Sequence, residues 1–129
     1  MKLQFVDINN PPRPSTVFNN CEELREALDN LRNSGALMFE LWGNNGYKLG
    51  IGLDSAIGCV QFSGIDHDPP YFMALANSPV SQESHSFPMN GSATEVRNKH
   101  CLPSTTVYQI ACYFLETGER SPEVEWEEV

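Results

Sequence analysis

The sequence predicts an α+β fold, an antiparallel β-meander with two helices packed mainly on one face. Three observations predict it. Two stretches repeat apolar residues at helical spacing, the run from Ala36 to Ser63 alternates with period two between turn residues, and 129 residues with 40% hydrophobic side chains suffice for one ordinary core. The whole of 1–129 reads as a single domain, with 1–19 an N-terminal strand and Pro-rich loop and 20–129 the core.

Leu3 to Val6 is a short strand. The stretch Asn9-Asn10-Pro11-Pro12-Arg13-Pro14-Ser15 reads as a loop, because three prolines remove backbone donors and fix φ. Asn20 with Glu23 three residues on has the capping-box pattern. Cys21, Leu24, Ala27, Leu28 and Leu31 then share one helical face until Gly35 ends the helix.

From Ala36 the period changes. Leu37, Phe39 and Leu41 alternate against Met38, Glu40 and Trp42, and the return strand places Tyr47, Leu49, Ile51 and Leu53 on one side. A two-residue loop would set the first apolar face against Lys48, Gly50 and Gly52. A three-residue loop, Asn44-Asn45-Gly46, pairs Leu41 with Leu49 and Phe39 with Ile51, so the sequence predicts that loop, with Gly46 left-handed. The alternating Gly50 and Gly52 mark a strand face that is bare or closely approached.

A turn near Ser55-Ala56 leads into a strand from Ile57 to Ser63, where Gly58, Val60 and Phe62 extend the apolar face. Gly64 to Pro70 is a loop, Tyr71 to Ala76 a fourth strand, Asn77 to Asn90 a long irregular connection and Ala93 to Arg97 a further strand. Pro103 opens the second helix, whose stripe is Val107, Ile110, Ala111, Phe114 and Leu115 and whose stop is Gly118. The tail alternates acid with apolar residues, as an edge strand does with Val124 and Trp126 inward and its acids outward.

Charge excludes function classes. Eight Lys and Arg against 17 Asp and Glu leave a net charge of -9, and only Arg97 and Lys99 lie close together, so the chain is not expected to bind nucleic acid directly. No apolar run approaches a membrane span, and the N-terminus has no secretory pattern, so the expected compartment is the cytoplasm. Cys21, Cys59, Cys101 and Cys112 have neither zinc-site nor disulfide-scaffold spacing and are expected to be reduced, mostly buried thiols.

Catalytic signals are weak. No Gly-Lys-Ser/Thr phosphate loop occurs. Asp66-His67-Asp68 lacks a second ligand pair, His85 and His100 lack partners in the sequence, and no deaminase zinc signature is present, so no metal and no cofactor are expected. Cys101 beside His100 is the best placed of the thiols for chemistry, which leaves a small cysteine-dependent enzyme using Cys101 with His85 or His100 as an alternative to a binding protein. Trp42 falls opposite the apolar face beside Lys48, where it makes a cation-π contact or faces a partner.

The run from Tyr113 to Trp126, an amphipathic helix ended by Gly118 and followed by Glu119-Arg120-Ser121-Pro122 and a Trp-bearing strand, resembles the end of the first Imm family of bacterial immunity proteins. Leu49-Gly50-Ile51-Gly52, Gly58-Cys59-Val60-Gln61-Phe62, Gly91, Glu95-Val96 and Leu102-Pro103 resemble the same family in the same order. The similarity spans about Ala36 to Glu127. One departure is Ser121, which displaces the proline that more often directly follows the basic residue in that family.

The resemblance implies a non-enzymatic antidote that binds a cognate toxin, often a nucleic-acid deaminase, in a one-to-one complex and blocks its active site or substrate groove. The acidic composition is compatible with a basic toxin surface. Candidate contacts are Glu40, Trp42, Asp66, Asp68, Tyr71, Glu83, Glu125, Glu127 and Glu128. The free protein is expected to be a monomer. A general acidic adaptor or nucleic-acid mimic is a further alternative, separated by whether binding is selective.

Overall fold

In the computed structural model, residues 3–7, 13–33, 37–43, 45–54, 56–66, 69–77, 84–89 and 92–129 are described. In chain order these give β1 (Leu3–Asp7), β2 (Arg13–Phe18), α1 (Cys21–Asn33), β3 (Leu37–Trp42), β4 (Tyr47–Asp54), β5 (Ile57–Gly64), β6 (Phe72–Leu75), β7 (His85–Met89) and β8 (Ser92–Val96). A 3-10 turn (Asn98–His100), β9 (Leu102–Pro103), α2 (Ser104–Thr117) and β10 (Glu125–Glu128) follow. The fold is α+β, as the periodicities predict.

Among the described residues the main sheet runs β10-β6-β5-β4-β3-β1-β2, with β9 on the edge of β5 beside β6, and every pairing is antiparallel. The hairpin register is the expected one. Leu41 opposes Leu49 and Phe39 opposes Ile51, the Gly43 N–H donates to the Tyr47 carbonyl at 2.8 Å, and Gly46 has φ 89°. Continuing across, Leu49 opposes Phe62, Ile51 opposes Val60 and Leu53 opposes Gly58. Period-two alternation thus delivers one apolar face, and the stripe of α2 packs on it: Val107, Ile110, Ala111, Phe114 and Leu115 are all buried with Leu41, Leu49, Ile51 and Val60.

The helix ends follow from their residues. The Asn20 side chain accepts from the Glu23 N–H at 2.9 Å, and the Glu23 carboxylate reaches back to the Asn19 N–H at 2.9 Å, a capping box displaced by one residue at its return bond. Leu24 and Leu28 of α1 are fully buried. Gly118 takes the left-handed conformation and donates its N–H to the Phe114 carbonyl, closing α2. The proposed stop at Gly35 lies outside the described residues.

Three expectations are corrected. Arg13-Pro14-Ser15 is not loop but the start of β2, because this is an edge strand whose pairing with β1 shifts register between Phe5 and Val6, and an edge beside a bulge tolerates proline. The connection from Asn77 to Asn90 is not irregular throughout: His85–Met89 is β7, which pairs with β8 from His85↔Val96 to Met89↔Ser92. The dipeptide Asn90-Gly91 between them is the hairpin signal that betrays it. Cys21 and Cys112 are not thiols but a disulfide joining α1 to α2, while Cys59 and Cys101 are free and buried.

The β7-β8 hairpin gives the sheet a second cover. Gly52 points away from the helices, and a β-carbon there would fall 3.1 Å from the Phe87 ring. The same β-carbon would fall 2.9 Å from the Cys59 Sγ, so sulfur and ring together pack down onto bare backbone here. Phe87, Cys59, Val96 and Cys101 form a small second core, with Ile57 and Met73 packed on it.

Candidate functional site

The helix side of the sheet is not covered to its end. Eight residues of β4 extend about 27 Å, and the fourteen of α2 about 21 Å. In the last turn of the helix Phe114 meets Phe62 edge-on, ring centroids 6.0 Å apart. Beyond that contact lies an open groove of about 1010 Å³, with Tyr47, Phe62, Phe72 and Trp126 in its lining.

Three segments remote in sequence wall the groove. The β3-β4 turn supplies Asn45 to Tyr47, the segment after β5 supplies Asp66, Pro69 and Pro70, and the chain after α2 supplies Gly118 to Pro122. One side-chain and one backbone hydrogen bond join them. The Asn45 amide donates to the Gly118 carbonyl at 2.9 Å, and the Ile65 N–H donates to the Gly46 carbonyl at 2.9 Å. Ser121, where the sequence departs from the resembled motif, is 1% exposed. Its hydroxyl donates to Gln109 and accepts from the Glu123 N–H, and its carbonyl accepts from the Trp126 indole at 3.0 Å.

The aromatic floor is ordered. Tyr47 stacks on Phe62 at 5.0 Å and 21° yet is 46% exposed, and Trp126 meets Phe62 edge-on at 6.4 Å. Arg120 lies over the Phe72 ring, 4.0 Å from its centroid, and 5.7 Å from that of Phe62. Exposed Asp66 and Glu119 line the same groove.

The candidate contact residues do not converge on one place. Asp66 lines the groove; Tyr71 is half-buried, its carbonyl accepting the Val129 N–H. Glu125 and Glu128 are exposed on the edge strand β10, and Trp126 between them packs inward. Asp68 and Glu83 lie outside the described residues. Glu127 stays 36% exposed while accepting from Lys99 and His100 at 3.0 Å each, and these two hydrogen bonds hold its carboxyl below the usual carboxylate range.

Glu40 and Trp42 sit on the other face and are bound within the fold. The Glu40 carboxylate accepts from the Trp42 indole at 2.8 Å and from the Lys48 ammonium at 2.7 Å. Lys48 is 5% exposed and Glu40 14%, so Trp42 meets a carboxylate rather than only the cation expected beside it. What sequence reasoning missed is the aromatic floor. Tyr47 shares the apolar face of β4, and its place at the strand end, past the reach of α2, was the available signal.

The residues of the cysteine-enzyme alternative are apart in role. Cys101 is fully buried, its thiol directed at the Val96 and Arg97 carbonyls, and burial raises its pKa. A nucleophile needs the opposite, access and a lowered pKa. His85 pairs with Asp54 at 2.7 Å and His100 with Glu127. Among the described residues no group of three His, Cys, Asp or Glu side chains could hold a metal, and no helix is long and apolar enough to cross a membrane.

A model of the family described as immunity protein Imm1 matches residues 15–128, nearly the whole chain. No curated protein matches it.

Proposed function

The chain belongs to the Imm1 family of immunity proteins, and from that premise we propose that it neutralises a cognate bacterial toxin by binding it directly, one to one, and covering its active site or substrate groove. The proposed toxin is a basic nucleic-acid deaminase. The complex forms in the cytoplasm, from an immunity protein that is a one-domain monomer when free, with no turnover, cofactor or metal on the immunity side.

Charge carries this reading. An enzyme that acts on DNA or RNA holds the phosphate backbone with Lys and Arg, and a chain with 17 acids against 8 cations is drawn to those same groups and speeds the encounter. Exposed Asp66, Glu125 and Glu128 are the described candidate acids that support it; Asp68 and Glu83 belong to the same proposal.

The test is co-expression with the toxin domain encoded immediately upstream, scoring survival and co-purification. Rescue with a stoichiometric complex that weakens with salt is expected. Killing without a complex overturns the reading. Equal binding to unrelated basic nucleic-acid enzymes would replace it with a general acidic adaptor.

A further inference from the structure

Arg120 is an exception in this molecule. Acids outnumber cations about two to one, and Asp66 and Glu119 share its groove, yet the Arg120 guanidinium makes no hydrogen bond or ion pair among the described residues. Its only described partners are two ring faces, Phe72 at 4.0 Å and Phe62 at 5.7 Å. A ring face takes up none of the guanidinium's N–H donors, so the fork that matches a carboxylate is left unspent. Beside it Tyr47 is, with Val129, one of the two exposed large hydrophobics of the described chain.

We infer that this groove docks a protruding loop of the toxin, which delivers one carboxylate to Arg120 and lays an apolar side chain on Tyr47; the inference rests on the immunity reading. Charge complementarity defines the occupant. Asp66 and Glu119 repel an extended polyanion, so the negative group arrives singly, on a surface otherwise basic enough to meet those two acids. Tyr and Arg are the residue types that most often carry binding energy at interface centres.

The experiment measures association and dissociation of the co-encoded toxin domain on wild type, Tyr47→Ala, Arg120→Gln, Arg120→Lys and Glu95→Gln, an exposed position on the β7-β8 hairpin across the sheet, with thermal melts to show each is folded. Tyr47→Ala and Arg120→Gln are expected to raise Kd at least tenfold, mostly through faster dissociation, Arg120→Lys to recover little, and Glu95→Gln to change nothing. In a cycle against Asp→Asn and Glu→Gln variants of the toxin, one toxin acid should lose its effect once Arg120 is Gln, a coupling that a merely structural arginine does not produce. Wild-type binding with both groove variants within twofold of it overturns the groove and spares the immunity reading. No binding by wild type overturns both.

Discussion

The Phe87 ring rests on the backbone of Gly52, leaving 3.1 Å between its Cδ1 and the place a β-carbon would occupy. That contact carries the second cover of the sheet. Gly52→Ala should therefore lower stability by about 1–3 kcal/mol through overpacking, and Phe87→Ala by about 3–5 kcal/mol through an unfilled cavity. The double variant should lose less than the sum, since removing the ring relieves one of the methyl's two close contacts and leaves the other, at the Cys59 Sγ. Denaturant midpoints check all three, and strict additivity would show that the two residues do not share one contact.

The Glu40, Lys48 and Trp42 cluster should behave as structure rather than interface. Lys48→Met leaves a nearly buried carboxylate with the indole as its one remaining described donor, and should cost about 3 kcal/mol. Glu40→Gln should cost less because an amide oxygen still accepts. Toxin affinity of the folded variants should stay within twofold of wild type, and a tenfold loss would return Glu40 and Trp42 to the interface.

The thiols divide in two. In native protein Cys59, pushed up to about 12 by burial, and Cys101, also raised by burial, should resist alkylation near neutral pH. Unfolding without reductant should release two titratable thiols and unfolding with reductant four, because Cys21 and Cys112 are joined. Cys101→Ala should still rescue cells from the toxin. Rapid labelling of native Cys101 with loss of rescue would revive the enzyme reading.

Glu127 links the last strand to the 3-10 turn, and its pKa sits below the ordinary value. A carboxyl with a depressed folded-state pKa stabilises the fold above its unfolded pKa and loses that contribution as pH falls through the folded one. The stability gap between wild type and Glu127→Gln should be present at neutral pH and close in acid. Urea midpoints across an acid series measure it, and a gap independent of pH contradicts the assignment.

Register, faces and helix limits were legible because each rests on local rules. Period two places Leu41 against Leu49, and Gly46 and Gly118 supply left-handed turns. The edge strand at Arg13–Phe18 was not, since a proline reads as loop until its neighbour on one side is known to be solvent. Carboxylate roles were hidden for a similar reason. Glu127 and Glu128 are adjacent in sequence, but alternation sends one to Lys99 and His100 while the other is exposed. The groove depends on where α2 stops over β4, a relation between elements that no single segment encodes.

The amide of Asn45 bonded to the carbonyl of Gly118 has a thermodynamic consequence. It fastens the turn before Tyr47 to the segment before Arg120, so the two side chains are held in mutual register before any partner arrives. Little loop freedom is then left to surrender on complex formation, and more of each new contact shows as affinity.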